Sequence, residues 1–173
     1  MSAAINTLTG AGSVILIRHA EKTGQPDDID LSEIGLRRAA LLAQALPTAF
    51  GKIDTIIAAK SSARSSRPLL TVQPLALAPK KQVMQNWDTD EYSELANALT
   101  SEGSFNGQQI LVCWRHKSLD KLAMALGSLP AAPWPEEDYE HMIAIRRRPD
   151  IHTVWYRQIW DGRGLQIIES ESY

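Results

Sequence analysis

Two short apolar runs in this chain end in the same way. Residues 14–17, Val-Ile-Leu-Ile, stop abruptly at Arg18-His19, and residues 110–114, Ile-Leu-Val-Cys-Trp, stop at Arg115-His116. A run that is apolar at every position, instead of every second one, has both faces buried. That is the pattern of a strand inside a parallel sheet with helices on both sides. Parallel strands cannot be joined by tight hairpins, so the intervening chain must supply crossovers, mostly helical.

The rest of the sequence meets that demand. Residues 21–30, with Gly24, Pro26 and several acids, read as a surface loop. Ser32 is a plausible N-cap for a helix whose leucines and alanines keep helical spacing through Leu46, and Pro47 and Gly51 are expected to stop it. Residues 53–59 read as a second strand. Residues 67–77, broken by Pro68 and Pro74, read as a first turn and a short helix. A short third strand at 83–87, a helix at 91–99, a central strand at 110–114 and a helix at 118–126 continue the alternation. After Pro130 the rigid loop Pro133-Trp134-Pro135 leads to three strand-like runs at 141–146, 153–160 and 165–169, which suggest an antiparallel edge. The pattern predicts a three-layer α/β/α sandwich with a mainly parallel sheet, formed by residues 1–173 as a single domain.

Composition narrows the function classes. With 173 residues, 44% hydrophobic and 22% charged, the chain is long enough to bury a core without staples. A formal net charge of −2 argues against nucleic-acid or anionic-membrane partners, so any anion binding must be local. The only cysteine, Cys113, reads as a buried strand thiol and allows no intrachain disulfide. Residues 1–12 carry no basic, apolar leader pattern and no segment approaches the roughly 20 apolar residues of a membrane span, so a cytoplasmic location is expected.

Ligands of open α/β sheets bind at the carboxyl ends of the strands. Arg18 and His19 close the first strand here, Arg64 and Arg67 follow the second, and Arg115 and His116 close the strand around Cys113. Two imidazoles and several guanidiniums at one sheet edge form a concentrated cationic site suited to phosphate. A neutral imidazole can attack phosphorus in line while arginine forks hold the equatorial oxygens. His19 is the expected nucleophile, kept unprotonated by the like charge of Arg18 and Arg67, and His116 is expected to hydrogen-bond a phosphoryl oxygen. A carboxyl of raised pKa is also required, to protonate the leaving oxygen and then activate water. Arg64 and Arg115 read as solvated or structural, with Arg115 on the face opposite His116. The run 146–148, three arginines, reads as a solvated face.

Several chemistries are excluded. The segment Thr9-Gly10-Ala11-Gly12 precedes a strand and so is no dinucleotide-binding turn, and Leu119 stands where a Cys-x5-Arg loop starting at Cys113 needs arginine. There is no Gly-Lys-Ser/Thr phosphate loop. His141 and His152 have no partner at metal-ligand spacing, so neither metal nor cofactor is expected.

The segment Val14-Ile-Leu-Ile-Arg-His-Ala-Glu-Lys22 resembles the Arg-His-Gly signature of the histidine phosphatase (phosphoglycerate-mutase-like) superfamily, in an Arg-His-Ala-Glu-Lys variant. Later landmarks follow in order. Leu31-Ser-Glu-Ile-Gly35 with Ala39 resembles the family's Leu-Thr-x-x-Gly helix start, residues 61–71 its serine-rich loop with Arg67 four residues before Thr71, and Ile110-Leu-Val-Cys-Trp-Arg-His116 its second-histidine strand. The resemblance implies that His19 is phosphorylated, that Arg18 and Arg67 grip phosphate, and that His116 completes the pocket. It places the acid after the third strand, where Asp88 and Asp90 are the candidates beside Glu91; read without the resemblance, that acidic cluster simply complements a helix dipole. Ala20 and Lys117 depart from the family's glycines.

The activity implied is metal-independent phosphomonoester hydrolysis on a small molecule, a phosphosugar or a phosphoprotein. The alternatives are a phosphate-recognising module without turnover and a phosphomutase of the same fold. The short chain leaves little to close over an intermediate, which disfavours the mutase and predicts an open site.

Overall fold

The computed structural model describes residues 9–129, 132–147 and 149–172. Residues 1–8, Pro130, and Arg148 of the arginine run lie outside these. The chain passes through β1 (Ser13–Arg18), α1 (Glu33–Phe50), β2 (Thr55–Ala58), α2 (Arg67–Leu77), α3 (Tyr92–Ser101), a 3₁₀ turn (Gly103–Phe105), β3 (Gln109–Trp114), α4 (His116–Ala125), β4 (His141–Arg146), β5 (His152–Trp160) and β6 (Leu165–Glu169). The strands form one sheet in the order β2-β3-β1-β4-β5-β6.

β2, β3 and β1 are mutually parallel, whereas β4, β5 and β6 join by antiparallel pairing. β2, β3, β1 and β5 therefore point the same way. Three of the five strand pairings are antiparallel, more than the expected edge.

Alternation along the apolar strands builds two cores. Val14, Leu16, Ile110 and Val112 pack under Leu95 and Leu99 of α3 and Leu119 and Leu122 of α4. Ile15, Ile17, Leu111 and Cys113 pack under Leu42 and Leu46 of α1 and Val72 and Leu75 of α2. This is the three-layer sandwich that unbroken apolar strands demand. Among the described residues no helix is long and apolar enough to cross a membrane.

Four local expectations are corrected. Pro47 does not stop α1, which runs on to Phe50 and ends at Gly51, whose φ of 75° and N–H bond to the Pro47 carbonyl close the last turn. Pro47 faces solvent, where water can satisfy the carbonyl that its missing N–H leaves free. Pro74 likewise lies within α2, which is one continuous helix. Residues 83–87 run beside β2 but make only one bridge, Ile57 to Met84, and do not form a strand. Arg147 is buried, with Nη1 donating to the carbonyls of Thr9 (3.0 Å) and Ala11 (3.2 Å), so this part of the arginine run pins the N-terminal segment where a solvated face was expected.

The start of α1 shows why glycine stands at position 35. Ser32 caps the helix by accepting from the Gly35 N–H (3.1 Å), and its own N–H donates to the Glu21 carbonyl (2.8 Å), which draws the first turn onto the backbone behind His19. A Cβ on residue 35 would lie 2.4 Å from the Glu21 carbonyl oxygen. Gly35→Ala should therefore destabilise the protein by about 1–3 kcal/mol, as overpacking does, measured by urea unfolding against Gly164→Ala, where a Cβ would meet nothing.

Candidate active site

The pocket lies where β1 and β3 end side by side. Arg18 pairs with Trp114 in register, and one step on the His19 N–H donates to the Trp114 carbonyl (3.1 Å), so the ladder continues to the first residue beyond the strand. β3 ends at Trp114, and Arg115 is the N-cap of α4 with His116 as its first helical residue. The two Arg-His pairs thus meet at one sheet edge. Because Arg115 lies beyond the strand, strand alternation does not govern it, and the expectation that it faces away is corrected. Its guanidinium is close enough to Arg67 to lower that residue's pKa, and its Nη1 reaches the Thr89 hydroxyl (3.5 Å). Arg64 is exposed, as expected of a solvated residue.

His19 is only 3% exposed. Its Nδ1 is 2.7 Å from the Ala20 carbonyl, which can only accept, so Nδ1 carries the proton and Nε2 keeps its lone pair. Burial, followed by the charges of Arg18, Arg67 and His116, pushes its pKa down to about 3. The backbone after it is tied to α2: the Ala20 N–H donates to the Thr71 hydroxyl (2.9 Å), which donates to the Arg67 carbonyl (2.8 Å). The Arg-x-x-x-Thr spacing therefore couples the arginine's helix turn to the histidine's loop. His116 is lowered to about 4, first by burial and then by Arg18.

Both arginines are held by one amino group and left free at another edge. Arg18, 2% exposed, directs Nη1 at the carbonyls of Pro135 (3.4 Å), Glu136 and Asp138 (3.1 Å). Arg67, at the start of α2, donates Nη1 to the Asp28 carbonyl (2.7 Å) in the Glu21–Asp30 loop. Nε and Nη2 of Arg18, Nε of Arg67 and Nδ1 of His116 are buried with no hydrogen-bond partner. Buried polar groups are almost always satisfied, so these guanidinium N–H groups and the imidazole nitrogen of His116 stand out at this sheet edge. Burial lowers both guanidinium pKa values.

The segment that begins at Pro133-Trp134-Pro135 folds over Arg18, with the Tyr139 ring 3.8 Å from its guanidinium carbon and 6.2 Å from the His19 ring. Glu136 forms an ion pair with Lys22 (3.0 Å) and is the carboxylate whose charge acts on His116. Asp88 and Asp90 are exposed, and neither is among the charges that shift His19 or His116. The carbonyl of Thr89 between them accepts from Trp114 Nε1 (3.1 Å) and the Ser118 hydroxyl (2.8 Å), so this turn buttresses the second-histidine strand. Among the described residues no group of three or more His, Cys, Asp or Glu side chains could hold a metal ion.

By sequence, no family model and no curated protein matches this chain. The structure does have close counterparts in shape. The protein histidine phosphatase SixA in complex with tungstate superposes with a TM-score of 0.56 at 16% identity, covering 82% of this chain and 93% of the other. Phosphoglycerate mutase from Plasmodium falciparum superposes at 0.55 with 15% identity, over 93% and 97% of the two chains. A mycobacterial glucosyl-3-phosphoglycerate phosphatase bound to inorganic phosphate gives 0.50 at 16% identity, over 93% and 96%. The fold is that of the histidine phosphatases. In a histidine-phosphatase fold the Arg18-His19 strand end stands at the sheet's carboxyl edge, where the sequence analysis placed it.

Sequence reasoning missed Tyr139, Glu136 and the Pro135–Asp138 carbonyls, which meet Arg18 across more than a hundred residues. The loop's proline-rich signal was visible and its target was not. It also missed the brace on Glu21, which accepts Nε and Nη2 of buried Arg38 at 2.7–3.0 Å, while Arg38 Nη1 reaches Gln158 (2.9 Å). Removing one partner of such a buried pair costs about 3–5 kcal/mol.

The depressed histidines make stability depend on pH. Their folded values, about 3 for His19 and about 4 for His116, lie below the ordinary 6.5, so over that window the unfolded chain binds protons that the folded chain refuses. Their contribution is complete above 6.5 and is lost as pH falls toward the folded values. Urea unfolding should show stability falling between about pH 7 and about pH 4.5, with a shallower fall in His19→Asn. Equal slopes would mean that His19 is not held neutral by its surroundings.

Proposed function

We propose that this chain is a metal-independent phosphatase working through a phosphohistidine on His19. The observation that carries the reading is the set of partnerless buried nitrogens on Arg18, Arg67 and His116, three residues whose charges act on a histidine whose Nε2 keeps its lone pair. The Nε2 pair forms a bond to phosphorus as the bond to the leaving atom breaks. Arg18, Arg67 and His116 take the charge that gathers on the equatorial oxygens. Water then attacks phosphorus, the P–N bond breaks, and inorganic phosphate leaves with His19 neutral again. The guanidiniums supply the positive charge that a metal would otherwise provide. The histidine-phosphatase fold supports the same reading, and the tungstate and phosphate named for two of its counterparts are anions of the class this pocket suits.

His19→Ala should abolish turnover. Brief exposure to substrate should leave acid-labile phosphate on the wild type and none on the variant, and dialysis against EDTA should leave the wild-type rate unchanged. Labelling of His19→Ala would overturn the nucleophile, and activity restored only by added Mg²⁺, Mn²⁺ or Zn²⁺ would overturn the metal-free mechanism. Phosphate that passes to a second organic acceptor and not to water would identify a mutase.

A second reading concerns the substrate. Glu136, the carboxylate beside His116, is held below the usual carboxylate range chiefly by its ion pair with Lys22, the wrong direction for a general acid, and Asp88 and Asp90 are exposed. This favours a leaving group that departs without a carboxylic acid. A phosphoimidazole protonated on its second ring nitrogen leaves as neutral imidazole, so a protein phosphohistidine suits the site better than an alkyl phosphate. Phosphoimidazole and p-nitrophenyl phosphate should be hydrolysed far faster than an alkyl phosphate, and Asp88→Asn and Asp90→Asn should change none of the three rates. A loss confined to the alkyl phosphate in either variant would identify that aspartate as the acid and return the ester reading.

A further inference from the structure

We propose that Tyr139 is a positioning residue: together with the carbonyls of Pro135, Glu136 and Asp138 it clamps the Arg18 guanidinium so that the Nε–Nη2 edge faces the transferred phosphoryl group. This rests on the phosphate-site reading above and adds how the site is held in shape.

A guanidinium has two faces and three edges, and bidentate grip on a phosphate requires one edge with two parallel N–H groups. Here the Nη1 group is fully engaged, since its two hydrogens face three main-chain carbonyls. The Tyr139 ring covers the plane at 3.8 Å from the guanidinium carbon, close enough for a desolvated cation–π contact. What remains is Nε and Nη2, both buried and both without a partner. The clamp therefore leaves one orientation of one edge, before any ligand arrives.

Tyr139 is itself fixed from the antiparallel half of the sheet. Asp138 Oδ1 accepts from the N–H groups of Glu140 (3.0 Å) and His141 (3.1 Å), and its Oδ2 meets His141 Nδ1 at 2.6 Å. The Asp138 carbonyl accepts from Trp134 Nε1 (3.1 Å), and buried Trp134 stacks on Trp155 of β5 at 5.8 Å. Aromatic packing on β5 thus reaches Arg18 through one turn of loop. Tyr139 lies within electrostatic range of Arg67 as well.

The test compares Tyr139→Phe, which keeps the ring, with Tyr139→Leu, which removes it, using tungstate binding by calorimetry and p-nitrophenyl phosphate kinetics. The ring-keeping variant should bind tungstate within about twofold of wild type, whereas Tyr139→Leu should bind it about 10-fold more weakly with an unchanged melting temperature. kcat should carry most of the loss in kcat/KM for Tyr139→Leu, because a misaimed fork costs more in the transition state than in the substrate complex. If the leucine variant does not fold, Tyr139→Met makes the same comparison. Wild type that fails to bind tungstate overturns the phosphate site and this proposal with it. Wild type that binds, alongside a leucine variant that binds equally, overturns the clamp alone. Equal losses in Tyr139→Phe and Tyr139→Leu would assign the role to the hydroxyl and also overturn the clamp.

Discussion

The in-register parallel pairing of β1 with β3 is the constraint on which the rest of the site depends. Arg18 stands opposite Trp114, and the next residue on each strand leaves the sheet at the same level. A slip of one residue would turn every apolar side chain of β1 to the wrong core, so the two hydrophobic layers themselves lock the register. The cores that stabilise the fold therefore also bring His19 and His116 to one place. Because both strands are apolar throughout, polar groups can first appear beyond their ends, and that is where the chain concentrates its cations.

Those cations would repel one another if water were excluded and nothing else changed. The structure meets this with main-chain dipoles: carbonyls of Pro135, Glu136 and Asp138 on Arg18, and that of Asp28 on Arg67. Carbonyls stabilise a guanidinium without neutralising it, so the pocket keeps its positive charge. Carboxylates in the same places would have neutralised those cations from within. The carboxylates are held farther out, Glu21 on Arg38 and Glu136 on Lys22. Leaving these buried nitrogens of Arg18, Arg67 and His116 unpaired costs stability. The two continuous cores on either side of the sheet offset that cost, and the same desolvation keeps His19 neutral.

Much of this was legible in the chain. Continuous apolar runs identified β1 and β3, helical spacing behind Ser32 identified α1, and the spacing of Arg67 and Thr71 marked the turn that ties α2 to Ala20. Where the reading failed, the reason was local context. Pro47 and Pro74 look like helix breakers, yet the packing of α1 and α2 on the sheet outweighs one lost hydrogen bond in each. Arg115 looked like a strand residue because the apolar run gives no sign that the strand ends at Trp114 and the helix begins at His116. Likewise, no local pattern showed that Asp88 and Asp90 lie exposed on a turn anchored by the Thr89 carbonyl.

By itself the sequence determined the layer architecture, the ends of β1 and β3, and the cationic and imidazole groups of Arg18, His19, Arg67 and His116 placed near them, because hydrophobic periodicity and strand-end position are local properties that a chain carries along its length. Only the tertiary structure decided which edges of the guanidiniums stay free, which nitrogen of His19 keeps its lone pair, and that a loop from the antiparallel half covers the pocket with Tyr139. Those depend on contacts such as Arg18 to Pro135, 117 residues apart, and no local pattern encodes where a buried N–H will find, or fail to find, its acceptor.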